Sequence, residues 1–275
     1  MKQVYLIHEG HPRLLLFFVG WAADATPFCH YRPCGMDYAV VYDYRDLRLD
    51  LGFLSNYREV HVLSWSMGVW AAGQVLLGMD ARQLSRIATT TAFAGSQHPI
   101  DDREGIPRSI FQATLQGLTP ASLQKFLRRM CGSSAAYRAF MAVTPRRDFS
   151  EVQEELRQIE QFVEASGMPH HRLNDRGFTP DLSPTDAVSA PHMALEGSQG
   201  DGEPLTNERS VGRLWRYDRA YIGAADHIFP AANLQAHYRA LGCREVQVVD
   251  CAHYDDPLFR YLLQERWTDS MSNEQ

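Results

Sequence analysis

The sequence predicts an α/β fold: a mostly parallel sheet with a helical segment inserted into it. Three observations carry this. Short apolar runs of β-branched and aromatic type crowd the first third of the chain. That strand signal disappears from Phe93 to Ala165, where periodicity is helical. It returns near the C-terminus, again alternating with a helix. Near-continuous apolar runs, rather than polar alternation, are what strands buried on both faces of a parallel sheet require.

The first runs are Val4–Ile7, Leu14–Val19, Ala39–Tyr42 and Val60–Leu63, with Ile87–Thr91 following. Between the last two, Met67–Met79 is apolar almost all round and lacks Pro, so a helix held against the sheet is expected. In the insertion, Ser109–Leu118 reads as a helix. Thr119-Pro120 offers an N-cap with Pro at the first helical position for Ala121–Met130, and Gly132 ends it. Ala135–Val143 reads as helical. Ser150-Glu151-Val152-Gln153 reads as a capping box for a helix with a Val152, Leu156, Ile159, Val163 stripe. Gly167–Gly212 is dense in Gly, Pro, Ser, Asp and His without a sustained period, and reads as a long irregular loop. Strands are expected at Ala220–Ile222 and Val246–Val249 around a helix near Ala231–Leu241, and a terminal helix at Leu258–Trp267. The expected organisation is core 1–92, helical lid 93–165, loop 166–212 and core 213–275.

The chain has 275 residues, 45% hydrophobic and 22% charged, with a net charge of −6. It is not a polyanion binder overall, and no nucleic-acid signature is present. Five scattered cysteines without a Cys-x-x-Cys pair argue against a disulfide framework and fit a reducing, cytoplasmic setting. No apolar run reaches the length of a membrane span, and the N-terminus does not read as a signal peptide.

The chemistry concentrates at Ser64-Trp65-Ser66-Met67-Gly68, between the strand Val60–Leu63 and the helix after it. A serine on a sharp strand-to-helix turn, flanked by small residues, is the nucleophile-elbow pattern; here Ser64 stands where the first glycine usually does. The Met67 N–H, at a helix N-terminus, is a candidate oxyanion donor. The Trp21 N–H, after Gly20 at the end of Leu14–Val19, is the second. Asp226 and His253 follow in the chain order Ser, Asp, His, each directly after a predicted strand, where open parallel sheets carry their sites. His253 would act as general base, with Asp226 orienting its ring. His8 and His11 do not form a zincin motif, so no metal is expected, and no cofactor is called for.

These pieces, with "FFVGWAADATPF", "VVYDYRDL", "VLSWSMGVWAA", "IGAADHIFP" and "DCAHYDDPLF", resemble the BioG family of pimeloyl-[acyl-carrier protein] methyl ester esterases. The resemblance implies an α/β-hydrolase core with a helical lid, and Ser66, Asp226 and His253 as triad. It also implies Trp21 and Met67 as oxyanion donors, and a carrier protein bearing a methyl pimeloyl group as substrate in biotin synthesis.

One charge pattern bears on that partner. Ile106–Arg147 has no Asp or Glu but carries Arg108, Lys125, Arg128, Arg129, Arg138, Arg146 and Arg147. That local +7 against a net −6 leaves −13 on the remainder. A basic lid would steer an acidic carrier protein to the site. Arg128, Arg129 and Arg138, with Trp65 and Phe111, are the candidate substrate- or carrier-binding residues. Two other readings stand beside this one: a general small-molecule esterase or thioesterase of the same fold, and a catalytically silent module that binds a carrier protein.

Overall fold

The computed structural model describes residues 1–166, 187–188 and 213–267. The strands of the main sheet are β1 (Lys2–Ile7), β2 (Arg13–Phe18), β3 (Asp37–Tyr42), β4 (Glu59–Trp65), β5 (Ile87–Phe93), β8 (Arg219–Gly223) and β9 (Glu245–Val249). They lie in the order β1-β3-β2-β4-β5-β8-β9. A separate parallel pair joins β6 (Ala187–Val188) to β7 (Leu214–Trp215). All neighbours in the main sheet run parallel except β1, which is antiparallel to β3. The architecture is that of an α/β-hydrolase.

Burial follows the apolar runs in the centre and departs from them at the edges. β2 and β4 are buried along almost their whole length, and Leu14, Leu15, Leu16 and Phe17 have no exposed surface. The equally apolar-looking Val4–Ile7 and Val246–Val249 are not buried on both faces, because β1 and β9 are the two edges. Which runs become edges depends on strand order, which local composition does not encode.

Helix α1 (Met67–Gly78) packs against the sheet with nine of its residues buried. A Cβ at Gly68 would collide with the Phe18 and Val19 carbonyl oxygens, so only glycine lets α1 approach β2 this closely. A four-residue helix, α2 (Ala81–Leu84), leads into β5.

Four helices follow β5: α3 (Arg108–Gln116), α4 (Pro120–Cys131), α5 (Ser134–Ala142) and α6 (Phe149–Ala165). Thr119 caps α4 in a capping box with Ser122, and Gly132 ends it at φ 70°. The α6 start differs from expectation. Asp148, not Ser150, is the N-cap, no side chain caps the helix, and Ser150 lies in the first turn. Instead of a local cap, the neighbouring Arg147 is anchored to Asp43 at 3.3 Å and Glu155 at 2.5 Å. The α6 stripe Val152, Leu156, Ile159 and Val163 is buried as its spacing requires.

Beyond β7, α7 (Ala231–Leu241) connects β8 to β9, and α8 (Asp256–Leu263) follows. Asp255 caps α8 by accepting from Leu258 N, with Pro257 in its first turn. The helix expected to continue to Trp267 ends at Leu263, with Gln264 as its C-cap, and Glu265–Trp267 forms a 3-10 turn. Most of the expected loop Gly167–Gly212 lies outside the described residues.

Candidate active site

Ser66 sits between β4 and α1 at φ 59°, ψ −128°. A side chain rarely adopts this conformation, and it lifts the hydroxyl clear of the sheet. The surroundings impose it. Ser66 N donates to Phe93 O at 3.0 Å, and Val69 N donates to Ser66 O at 3.0 Å. A Cβ at Gly95 would strike the Ser66 carbonyl, and one at Gly20 would come within 2.9 Å of Ser66 Cβ. Ser64 is fully buried, and its hydroxyl donates to Thr91 O at 3.2 Å. The Tyr217 hydroxyl donates to Val69 O at 2.7 Å and lies 3.3 Å from Ser64 Oγ. A serine is therefore accommodated where the elbow pattern has glycine, because its hydroxyl is bonded.

The turns after β8 and β9 bring two distant residues to this point. His253 Nε2 lies 2.9 Å from Ser66 Oγ, and His253 Nδ1 lies 2.8 Å from Asp226 Oδ2. The other Asp226 oxygen, Oδ1, accepts from Ile228 N at 2.7 Å and Phe229 N at 2.9 Å. A carboxylate can only accept, so Nδ1 carries the ring proton and Nε2 is left to accept from the serine hydroxyl. The imidazole is stacked on Phe229, centroids 5.9 Å apart and 6° from parallel, with Trp65 at 5.4 Å. His253 is 1% exposed and Ser66 6%.

Trp21 and Met67 both line the cleft over Ser66. Among the described residues neither backbone N–H donates to a protein acceptor. The strand-end turn that holds Trp21 is tied to the lid. Trp21 Nε1 donates to Val152 O at 2.8 Å, and Ala22, at φ 65°, donates from N to Glu155 Oε2 at 3.3 Å. Glu155 Oε1 also accepts from Tyr44 N at 2.8 Å. Burial pushes the Glu155 carboxyl upward, against the pull of Arg147 and these N–H donors. Sequence reasoning did not single out Glu155. Its signal was a carboxylate three residues after Val152, on the buried face of α6.

The cleft is walled by the lid: Phe111 from α3, and Phe126, Arg129 and Met130 from α4. Trp65 lies at its base and is 2% exposed. Arg128 stacks over Tyr137 at 4.9 Å. Arg128, Arg129 and Arg138 are exposed. The basic stretch is less uniform than its charge count implies. Arg147 is buried in the ion pairs named above, and Arg108 reaches Glu164 at 3.5 Å. A separate cavity of about 680 Å³ is walled by α5 and the 250–257 turn, but none of Ser66, Asp226 and His253 lines it. A tighter cleft lies over Ser66, lined by Ser66 and His253 themselves.

His98, Glu104 and His237 bring ligand-type atoms within 4.8 Å of one another. Both ring Nδ1 atoms approach one oxygen, Glu104 Oε2, at 3.0 and 2.8 Å. Gln97 N donates to His237 Nε2 at 3.3 Å, which leaves the ring proton on Nδ1, the atom a metal would need. Burial pulls the His237 pKa down, against the raising effect of its hydrogen bond to Glu104. Desolvation opposes ionisation of Glu104, but hydrogen bonds from His237 and His98 outweigh it and hold its carboxyl well below the usual range. The cluster ties the 97–106 loop to α7 rather than offering a vacant ligand set. Among the described residues no helix is long and apolar enough to cross a membrane.

The family model "Pimeloyl-ACP methyl esterase BioG" matches residues 1–168. A protein of Bacteroides fragilis (strain 638R) named malonyl-[acyl-carrier protein] O-methyltransferase is 37% identical over 246 residues, covering 90% of this chain and 40% of that protein. The chain thus spans about two-fifths of that relative's length. The crystal structure of BioG from Haemophilus influenzae superimposes with a TM-score of 0.69 at 30% identity, covering 94% of this chain and 97% of that one. A hydrolase from Oleispira antarctica matches at TM-score 0.53 and 11% identity over 91% of this chain and 89% of its own, a likeness of fold. With the elbow, the lid and the parallel sheet, these matches mean that the chain belongs to the BioG family of pimeloyl-ACP methyl esterases.

Proposed function

We propose that this chain is a serine carboxylic-ester hydrolase that removes the methyl group from pimeloyl-[acyl-carrier protein] methyl ester, releasing methanol. The observation that carries the chemistry is the unbroken hydrogen-bond line Ser66 Oγ, His253 Nε2, His253 Nδ1, Asp226 Oδ2. Membership of the BioG family carries the substrate.

Ser66 Oγ attacks the ester carbonyl carbon while His253 Nε2 takes the hydroxyl proton. Asp226 keeps Nδ1 protonated and stabilises the imidazolium. The carbonyl oxygen becomes an oxyanion, and the Trp21 and Met67 N–H groups donate to it. Collapse breaks the bond to the methoxy oxygen, which leaves as methanol with the proton from His253. Water, deprotonated by His253, then attacks the acyl-serine and returns Ser66 with the free carboxylic acid. The apolar lid faces, Phe111 and Phe126 among them, cover the acyl chain, and the exposed guanidinium groups of Arg128, Arg129 and Arg138 face an acidic carrier protein.

The test is hydrolysis of methyl pimeloyl-carrier protein by wild-type and Ser66→Ala protein, beside a short p-nitrophenyl ester. Cleavage of the carrier-bound ester by wild type alone supports the whole reading. Cleavage of the short ester only would remove the substrate assignment, and normal turnover by Ser66→Ala would remove the serine mechanism.

A further inference from the structure

The main sheet ends at β9, and among the described residues nothing pairs with its outer edge. Natural sheet edges are blunted by charge, proline or bulges, since an open edge invites pairing with another chain. The opposite edge follows that rule: β1 begins with Lys2, and its pairing is broken by an irregularity between Tyr5 and Ile7. β9 is less protected: its one charged residue, Glu245, is paired with Arg219 of the neighbouring β8. Its register with β8 is regular from Glu245 to Val249, and it contains neither proline nor lysine. Val246 and Val248 are 40% and 53% exposed, two of the five large exposed hydrophobic side chains on the described surface.

The direction of the free backbone groups follows from the pairing on the inner side. Glu245 N donates to Asp218 O, and Val249 O accepts from Ala224 N. In a parallel ladder the N–H and C=O of one residue point the same way, so positions 245, 247 and 249 face β8. The N–H and C=O groups of Val246 and Val248 therefore face outward.

We propose that β9 pairs antiparallel with β9 of a second copy of this chain, across a two-fold axis at Gln247. That register sets Val246 opposite Val248 of the second copy, each contributing the outward backbone groups that a hydrogen-bonded antiparallel pair exchanges. It also sets Arg244 opposite the second copy's Asp250. Both residues are exposed, and neither has an oppositely charged side chain within salt-bridge distance among the described residues. The alternate positions Arg244, Val246, Val248 and Asp250 thus read as their own complement when reversed, the condition a two-fold interface imposes. Shifting the axis to Val246 or Val248 keeps the backbone pairing but leaves both charges facing apolar side chains or nothing.

Sedimentation equilibrium of the full chain tests this. Wild type is expected as a dimer. Val246→Lys/Val248→Lys, changed only at exposed positions and checked for an unaltered melting curve, is expected as a monomer. Arg244→Asp and Asp250→Arg are each expected to weaken the dimer, and the Arg244→Asp/Asp250→Arg double variant to restore it. A wild-type protein monomeric at every concentration overturns the proposal. So does a dimer that persists in the double lysine variant, because the contact would then lie elsewhere. A dimer lost in the lysine variant but indifferent to all three charge variants overturns the Gln247-centred register.

Discussion

The indole Nε1 of Trp65 donates to the backbone carbonyl of His253 at 2.8 Å, in a site where both side chains are buried. The residue before Ser66 therefore holds the loop that carries His253, across 188 positions of sequence. Trp65→Phe keeps an aromatic ring under the imidazole but removes this donor. The expected result is a kcat lowered about tenfold with KM little changed, and a stability loss of roughly 1 kcal/mol from the orphaned carbonyl. Steady-state kinetics and urea unfolding check it.

Asp226→Asn would leave the fold intact but permit the wrong histidine tautomer. The expected loss in kcat is about 10⁴-fold, the scale of the same substitution in a serine-protease triad. Because the triad acts as a unit, adding Ser66→Ala to it is expected to cost far less than the product of the two single losses. Single-turnover assays on all three variants measure this.

The backbone at Ser66 sets stability against activity. At φ 59° a glycine is unstrained and an alanine is not. Ser66→Gly is expected to be more stable than Ser66→Ala by about 1 kcal/mol, with both inactive. Equal unfolding midpoints would contradict the strain.

Glu155 and Arg147 are both almost fully buried and paired. Removing the carboxylate alone, as in Glu155→Ala, would leave a buried guanidinium with Asp43 as its near partner and free the Ala22 N–H. It is expected to cost about 3–5 kcal/mol. Arg147→Met/Glu155→Leu, which removes both charges, is expected to lose less stability than Glu155→Ala yet still lose activity, since the Ala22 N–H beside Trp21 loses its acceptor. Denaturant melts and kcat on the short ester separate the two effects.

His61 gives a pH signature. Its Nδ1 bonds Thr89 Oγ1 at 2.9 Å, and burial, with Arg266 and Arg13 nearby, lowers its pKa from 6.5 to about 4. The folded state thus prefers the neutral ring, while the unfolded chain binds a proton below pH 6.5. Stability from this group is complete above that pH and falls as pH drops toward 4, by at most about 3 kcal/mol. His61→Leu is expected to flatten that part of the stability curve, measured by urea unfolding between pH 4 and 7.

On the lid, neutralising Arg128, Arg129 and Arg138 together is expected to lower kcat/KM for the carrier-bound ester about tenfold and to weaken its salt dependence. Hydrolysis of a short neutral ester is expected to stay near wild type. An equal loss on both substrates would place these residues in structure rather than docking.

Local patterns sufficed for the periodic elements. The apolar stripe of α6, the Thr119-Pro120 start and Gly132 end of α4, and the limits of α7 all depend on residues within a turn or two. The α6 start did not, because Arg147 is held by Asp43 and Glu155 rather than by a neighbour in sequence. The basic stretch was legible as a charge count, but its division into buried Arg147 and exposed Arg128, Arg129 and Arg138 was not.

By itself the sequence determined the alternation of strands and helices, the elbow at Ser66, and the order in which Ser66, Asp226 and His253 occur. These are properties of short windows, where spacing and residue type act directly on backbone preference. Only the tertiary structure decided that the three side chains form one hydrogen-bond line, that Glu155 holds the Trp21 turn, and that β9 is the outer strand of the sheet among the described residues. Each of those depends on strand order and on contacts between segments far apart in the chain, which are selected by the packing of the whole sheet and lid.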